Sequence, residues 1–253
     1  MLLLFDIDGT LLSGATEAHR EAMHAALREV HGVDADALGP VVEPAGRTDP
    51  EIARVILLDA GISADRIDEL ASTLRQVCCR IYTELAPDDL SHTVLPGVRE
   101  LLGWLAEQHH SITLGLLTGN YEPIARLKLA RAGIGSHFAG GQGAFGSDAE
   151  DRAALPAIAR RRAGSRGNPC TRQSTIVIGD TPRDIACARA DGVRCFAVAS
   201  GPFPVARLGE ADFVAEDASA LKPALEETIS PSASDTACAS SDPRSDRARS
   251  GAG

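Results

Sequence analysis

Two carboxylates follow a short apolar run at the start of the chain, where the sequence reads LLLFDIDGT. Asp6 and Asp8 lie two residues apart, so an extended chain would place both side chains on one face, where like charges repel. A bound cation would remove that repulsion. Carboxylates also act as covalent nucleophiles and as general acids or bases. This stretch therefore predicts a metal site, carboxylate chemistry, or both.

Polar residues also end two later apolar runs. The run ITLGLL leads into Thr118, Gly119 and Asn120, and the run TIVIG leads into Asp180, with Asp184 four residues further on. Each pattern alone has an ordinary explanation: D-x-D pairs are common, T-G-N often forms a turn, and G-D-T-P-x-D is a good helix start. Their shared position at the end of an apolar run favours a common functional site.

The elements that would position these residues alternate along the chain. Apolar runs that predict buried parallel strands are residues 2–7, 112–118, 175–180, 193–198 and 211–215. Helical patterns occupy residues 97–109, 122–132, 149–163, 182–191 and 217–228. This alternation predicts an open α/β sheet with helices on both faces. Such a sheet binds ligands at the carboxyl ends of its strands, where all four aspartates would meet.

One long stretch interrupts the alternation. Residues 14–90 contain helical patterns at 16–32, 48–61 and 63–85 and no convincing strand. We predict a helical cap inserted after the first strand, on a core formed by residues 1–13 and 91–229. Residues 230–253 are rich in Ser, Ala, Asp, Arg, Gly and Pro, a composition that predicts a disordered tail.

Composition narrows the class of protein. The chain has 253 residues and a formal net charge of −10, so we expect no nucleic-acid partner. Its basic cluster at 160–166 is interpreted as part of a helix end, and the alternative is a site for an anion or a partner. The six cysteines lack the spacing of a metal site and predict reduced thiols. Asp6 interrupts the first apolar run too early for a signal peptide or a membrane span. We expect a cytoplasmic protein with no membrane partner.

Four crowded carboxylates cannot all remain ionised without a cation. Oxygen ligands without His or Cys favour a hard ion, and few protein ligands favour Mg²⁺, which commonly shares its shell with substrate phosphates. Small donors at the strand ends could then bind phosphoryl oxygens. These donors are Thr118, the Gly119 and Asn120 amides, and the backbone around Gly9 and Thr10. One aspartate could form an aspartyl-phosphate while another moves protons.

Three motifs resemble those of the haloacid dehalogenase-like hydrolase superfamily. They are D-I-D-G-T-L-L, L-L-T-G-N and I-G-D-T-P-R-D, which correspond to the first, second and fourth motifs of that superfamily within residues 1–228. The resemblance implies a Rossmann-like, doubly wound parallel sheet with an inserted α-helical cap.

The resemblance also implies roles for particular residues. Asp6 would be the nucleophile and Asp8 the general acid and base, while Thr118 would bind the transferring phosphoryl group. The Asp6 carboxylate, the Asp8 backbone carbonyl and Asp180 would hold Mg²⁺, with Asp184 in support.

The third motif departs from the family pattern. The family places a Lys, or occasionally an Arg, at the start of the helix before the fourth motif, but GAFGSDAEDRAALPAIA contains no lysine. Arg152 is our candidate, because a cation there would neutralise the nucleophile and a phosphate oxygen. The alternative is a solvated Arg152 paired with Glu150 or Asp148. Lys128 is the nearest lysine, but it lies one helix earlier.

Asp8 helps to choose the reaction. The dehalogenases of the superfamily replace this second aspartate, because halide departure needs no proton, so Asp8 favours phosphoryl transfer from an ester. A phosphonate hydrolase would resemble a form with a cap lysine, and residues 14–90 contain none. The resulting prediction is a phosphatase for a small phosphorylated metabolite, similar to phosphoglycolate phosphatases.

Two alternatives stay open. One is a β-phosphoglucomutase-like mutase, because His19 loosely resembles a histidine that mutases place after the first motif, although it could instead face solvent. The other is a non-catalytic binding protein, which the intact aspartates disfavour. In E-P-A-G-R-T-D-P, Arg47 could meet an anionic group of the substrate, or could be an exposed loop residue.

Overall fold

The computed structural model describes residues 1–39, 41–108, 111–165 and 167–229, and the predicted tail at 230–253 lies outside the described residues. Six parallel strands form one sheet in the order β3-β2-β1-β4-β5-β6. The strands are β1 (Leu2–Phe5), β2 (Thr113–Thr118), β3 (Ala144–Phe145), β4 (Thr175–Gly179), β5 (Arg194–Val198) and β6 (Phe213–Ala215). This order confirms the predicted doubly wound parallel sheet.

Ten α-helices connect and follow these strands in the described part of the chain. They are α1 (Glu17–His31), α2 (Ala35–Leu38), α3 (Asp49–Asp59), α4 (Ala64–Leu85), α5 (Val98–Glu107), α6 (Glu122–Arg131), α7 (Leu155–Ala163), α8 (Pro182–Asp191), α9 (Val205–Leu208) and α10 (Leu221–Ile229). None of these helices combines the length and the apolar content that a membrane span requires.

The central strand β1 explains why the chain opens on an uninterrupted apolar run. Leu3 and Phe5 point into one hydrophobic cluster, and Leu2 and Leu4 point into another on the opposite face of the sheet. Both faces are covered by helices, so no position in the strand is left for a polar side chain. The strand pairs with β2 on one side and with β4 on the other.

Helices α1 to α4 lie between β1 and β2 and pack around a hydrophobic cluster of their own. This cluster includes Leu27 and Tyr82 from these helices, and also Tyr121 and Ile124, which precede and begin α6. The helical insertion is therefore seated on the sheet-forming part of the chain.

Strand β3 and the start of α7 differ from the sequence prediction. Strand β3 has two residues, which is too short to produce a recognisable apolar run. The helix predicted over 149–163 starts instead as a 3₁₀ turn at Arg152–Ala154, where Asp151 accepts from the Ala153 amide, and continues as α7. The turn matters because it fixes the direction in which Arg152 leaves the backbone.

Thr48 forms a hydrogen bond between the helical insertion and the sheet-forming part of the chain, and its contribution to stability can be tested. Its hydroxyl accepts from the Glu51 amide (3.3 Å), which caps α3, and donates to the Glu150 carbonyl (2.6 Å). We expect Thr48→Val to lower the free energy of unfolding by about 1–2 kcal/mol, because a cap and a buried hydrogen bond are lost together. Urea denaturation measures this change.

Ser63→Ala is the matched control, since Ser63 caps α4 through the Arg66 amide (3.4 Å) at an exposed position. Its loss should be about 0.5–1 kcal/mol. A Thr48→Val loss no larger than that of Ser63→Ala would contradict a stabilising role for the Thr48–Glu150 hydrogen bond.

Candidate active site

The site forms where the strand order changes direction. Strand β1 lies beside β4, so Asp6 at the end of one strand faces Asp180 at the end of the other. The Asp6 amide donates to the Ile178 carbonyl (2.9 Å), which continues the ladder by one residue. Helix-covered parallel sheets bind their ligands at this kind of position.

The loop after Asp8 folds back over Asp180. Gly9 has a φ of 88°, and a Cβ at this position would overlap the Asp180 carboxylate, so a glycine is required. Thr10 turns its hydroxyl to Asp180 Oδ1 (2.9 Å), and Ser200 donates to the Gly9 carbonyl (2.7 Å). The first motif is thereby fixed to the end of β4.

Arg152 is buried between two aspartates. Its Nη2 lies 3.4 Å from Asp6 Oδ2 and pairs with Asp184 Oδ1. Burial alone would lower the pKa of Arg152, but Asp184 and Asp6 raise it well above its usual value. The side chain therefore places a permanent positive charge against Asp6.

The alternative in which Arg152 is solvated is wrong. Arg54 pairs with Glu150 (2.6 Å) and Arg162 pairs with Asp148 (2.6 Å), so other arginines occupy both carboxylates proposed as its partners. The Arg152 Nε is buried and has no hydrogen-bond partner among the described residues.

Asp184 is held at the start of α8. Its Oδ2 accepts from the Thr181 amide (3.0 Å) and hydroxyl (2.7 Å), while Thr181 in turn caps the helix. Since Oδ1 pairs with Arg152, the two oxygens of Asp184 hold Arg152 and Thr181 in place.

Asp6, Asp180 and Asp184 each offer an oxygen within 4.8 Å of the others, and all three residues are buried. Burial, the dominant cause, raises the pKa of Asp6 to about 7 and that of Asp180 to about 8. Asp180 Oδ2 is buried and has no hydrogen-bond partner within the described part of the chain, and a Cβ at Gly201 would overlap it. An all-oxygen donor set with an unpartnered carboxylate oxygen fits a hard divalent cation.

Asp8 has a different environment from Asp6. Lys128 Nζ lies 2.8 Å from Asp8 Oδ1 and 2.7 Å from Oδ2, and Asn120 Nδ2 donates to Oδ2 (3.0 Å). Burial would raise the pKa of Asp8, but the charge and hydrogen bonds of Lys128 outweigh it and lower the pKa. The contacts of Asp8 therefore favour its carboxylate form, in contrast to those of Asp6.

Sequence reasoning missed this contact of Lys128. The residue occupies the buried face of α6 together with Ile124, Ala125 and Leu129. A lysine at helical spacing on an apolar face is the signal that could have found it, because such a charge requires a buried partner.

His19 extends the contacts of Lys128 into the helical insertion. Its Nδ1 lies 3.3 Å from Lys128 Nζ, and its Nε2 lies 3.1 Å from Asp49 Oδ2. The same Asp49 oxygen accepts from the Tyr121 amide (2.7 Å). The alternative in which His19 faces solvent is wrong, because the residue is buried.

The residues of the second motif line the same cavity. The Thr118 hydroxyl accepts from the Asn120 backbone amide (3.3 Å). Asn120 Oδ1 is buried, and no described residue hydrogen-bonds to it. A Cβ at Gly119 would overlap the Arg47 carbonyl, so the loop before α3 rests directly on this strand end. Gly9, Thr118, Gly119 and Asn120 all border the cavity.

The cavity has a volume of about 540 Å³, which suits a small molecule. Its floor carries Asp6 and Asp8, and Arg47 lines its wall from the helical insertion. Arg47 is half-buried, pairs with Glu51 and donates to the Glu43 carbonyl (3.0 Å), so it is not simply an exposed loop residue.

Comparison with known families agrees with this geometry. The family model for haloacid dehalogenase-like hydrolases matches residues 3–189. The chain belongs to this family. The family membership predicted from the three motifs is thereby confirmed. This hydrolase is 32% identical over 214 residues to a phosphoglycolate phosphatase of Rhodospirillum rubrum, and the match covers 82% of this chain and 83% of the relative.

Solved structures show the same fold at lower identity. A β-phosphoglucomutase from Clostridium difficile superimposes with a TM-score of 0.62 at 18% identity, over 90% of this hydrolase and 96% of that chain. A predicted phosphoglycolate phosphatase from Haemophilus somnus gives 0.59 at 18%, over 88% and 97%. Proteins named for either reaction share this fold, so the fold does not choose between the two.

Arg152→Met in this hydrolase tests the charge balance of the site. The change leaves Asp6 and Asp184 buried without their cation, so we expect the free energy of unfolding to fall by about 3–5 kcal/mol. Urea denaturation with EDTA present measures the loss.

Arg161→Met, at an exposed position of α7, is the matched control and should leave the free energy of unfolding almost unchanged. Equal stability of the two variants would show that Arg152 does not compensate the aspartates.

Proposed function

We propose that this hydrolase is a magnesium-dependent phosphatase that cleaves a small phosphorylated metabolite through an aspartyl-phosphate on Asp6. The observation that carries the proposal is the pair of carboxylates on the cavity floor. Asp6 lies beside Arg152 and Asp180, whereas Asp8 is paired with Lys128 and Asn120. Two carboxylates in such different environments suit two different chemical roles.

The relatives support the phosphatase class and suggest a substrate. The curated relatives are phosphoglycolate phosphatases, and the first of them covers most of both chains. A two-carbon phosphate ester with a carboxylate is small enough for the cavity. Arg47 on the cavity wall could bind the carboxylate, which makes phosphoglycolate the first candidate substrate.

The proposed first step is attack of an Asp6 oxygen on phosphorus. The bond from phosphorus to the ester oxygen breaks, and that oxygen takes a proton from Asp8 and leaves as an alcohol. The Thr118 hydroxyl and the amides of Gly119 and Asn120 bind phosphoryl oxygens, and Arg152 offsets charge on Asp6.

The second step returns the enzyme to its starting state. The Asp8 carboxylate takes a proton from water, the water oxygen bonds to phosphorus, and the bond from phosphorus to Asp6 breaks. Inorganic phosphate is released, and Asp8 again carries the proton needed for the next first step. The pairing with Lys128 favours the carboxylate form of Asp8 that this second step requires.

The Asp6 carboxylate, the Asp8 carbonyl and Asp180 would hold Mg²⁺, with Asp184 in support through Arg152 and Thr181. When bound, the ion offsets the negative charge that the carboxylates and the phosphate bring together. The helices above the cavity would exclude bulk water, so that Asp8 activates one water molecule.

Phosphate release from a panel of phosphorylated metabolites tests the function. We expect Mg²⁺-dependent release with phosphoglycolate among the good substrates, and a loss of at least about 10³-fold in Asp6→Asn, because the nucleophile is removed. Asp59→Asn, at an exposed position in the last turn of α3, is the control and should retain wild-type activity.

Two outcomes would contradict the proposal. Isomerisation of a hexose phosphate without phosphate release would indicate a mutase. Undiminished hydrolysis by Asp6→Asn would remove Asp6 from the role of nucleophile.

Mg²⁺ should also stabilise the folded protein. Because the unfolded chain lacks the carboxylate cluster, Mg²⁺ at 100 times its dissociation constant should add about 2.7 kcal/mol to the free energy of unfolding. In Asp180→Asn the metal-free protein should be more stable, since one poorly compensated buried carboxylate is gone, and Mg²⁺ should add little. Thermal denaturation with and without Mg²⁺ measures both effects, and an equal response of Asp180→Asn and Asp59→Asn would contradict this site.

A further inference from the structure

The chain contains two lysines, and their environments are opposite. Lys222 lies on α10 with 47% of its side chain exposed, near Glu226 (3.7 Å). Lys128 lies on α6 and its side chain is fully buried. An ammonium group is strongly hydrated in water, so its burial needs partners that replace every hydrogen bond to solvent.

The partners of Lys128 account for its ammonium donors. Two contacts go to the two oxygens of Asp8, at 2.8 and 2.7 Å, and a third goes to His19 Nδ1 at 3.3 Å. A lysine ammonium has three N–H donors, so the set is complete. No solvent-facing donor is left over to meet a substrate.

The surroundings also hold Lys128 in place. His19 can accept at Nδ1 while its Nε2–H donates to Asp49 Oδ2 (3.1 Å), which is one consistent tautomer. Asp49 is fixed in turn by the Tyr121 amide (2.7 Å). Lys128 is thus held between α6 and the helical insertion, with Asp8 as its target.

The orientation of the Asp8 side chain depends on Lys128. It lies on a loop beside Gly9, and its side chain is partly exposed to the cavity. Among the described residues, the only other donor to its carboxylate besides Lys128 is Asn120, at Oδ2 (3.0 Å). Without Lys128, one neutral hydrogen bond would have to hold the carboxylate against the pull of solvent in the cavity.

We propose that Lys128 is a positioning residue that holds the Asp8 carboxylate toward the leaving oxygen of the substrate and does not itself contact the phosphate. This inference rests on the proposed function, because it assigns to Asp8 the transfer of a proton to that oxygen. It gives the two buried cations different roles: Arg152 compensates the charge of Asp6, and Lys128 orients Asp8.

The leaving group distinguishes positioning from a general structural role. An alkoxide is a poor leaving group and needs the proton of Asp8, whereas p-nitrophenolate departs without one. The ratio kcat/KM reports on the reaction up to departure of the leaving group. A misdirected Asp8 should therefore lower kcat/KM for an alkyl phosphate and spare p-nitrophenyl phosphate, while a distorted site should lower both alike.

The experiment compares Lys128→Met with wild type on an alkyl phosphate from the active panel and on p-nitrophenyl phosphate. We expect kcat/KM to fall about 10- to 100-fold on the alkyl phosphate and less than about 3-fold on the aryl phosphate. This loss is smaller than the roughly 10²- to 10⁴-fold that general acid–base catalysis contributes, because Asp8 is misdirected and not removed. Lys222→Met, the exposed counterpart, should match wild type on both substrates.

The double variant Asp8→Asn with Lys128→Met keeps the test decisive, even if Lys128→Met does not fold. It removes both buried charges together, and it should have the same kcat/KM as Asp8→Asn alone, because Lys128 then has nothing to position. Thermal denaturation confirms that each variant compared is folded.

Three results would overturn the inference. They are equal losses on the two substrates in Lys128→Met, wild-type activity in that variant, and a double variant clearly less active than Asp8→Asn. If wild type releases no phosphate from any substrate, or if Asp8→Asn equals wild type, the proposed function fails instead, and the two failures are distinguishable.

Discussion

The structure depends on the placement of two cations among four aspartates at the ends of β1 and β4. Arg152 lies between Asp6 and Asp184, and Lys128 lies against Asp8, so each cation compensates carboxylates that could not otherwise remain charged when buried. Asp180 accepts from the Thr10 hydroxyl, but it forms no ion pair with any residue that the structure describes. If all four carboxylates are ionised, the two cations leave a net charge of −2, which one divalent cation would neutralise.

The helical insertion is part of this arrangement because it rests on the strand ends. The loop before α3 contacts Gly119, Thr48 donates to the Glu150 carbonyl, and Asp49 accepts from the Tyr121 amide. His19 brings the same insertion to Lys128. The contacts that close the cavity and the contacts that fix Asp8 are therefore joined, and a change in the position of the insertion would reach Asp8 through Lys128.

The features that could be predicted from the sequence are those determined by short stretches of consecutive residues. The LLLF run, the D-x-D pair and the G-D-T-P-x-D helix start each reside in a few consecutive residues, and the alternation of strands and helices placed them at one edge of a sheet. The Lys128–Asp8 contact joins residues 120 positions apart and depends on which face of α6 is buried. Strand β3 could not be predicted because two residues show no periodicity. The 3₁₀ turn at Arg152 could not be predicted because it begins with a single local hydrogen bond, in which Asp151 accepts from the Ala153 amide.

Asp6 and Asp8 show why a two-residue spacing can serve two functions. Both carboxylates lie at the end of β1, yet the pKa of the buried Asp6 is raised to about 7 and that of the partly exposed Asp8 is lowered. The difference arises because Arg152 shares its charge between Asp6 and Asp184, at 3.4 Å from Asp6, whereas Lys128 contacts both oxygens of Asp8 within 2.8 Å. Burial therefore determines the pKa of Asp6, whose cation is shared with Asp184. The cation determines the pKa of Asp8, which Lys128 contacts directly. A divalent ion beside Asp180 would supply Asp6 with the compensation that Arg152 leaves incomplete, and would favour the ionised form of Asp6 that attacks phosphorus.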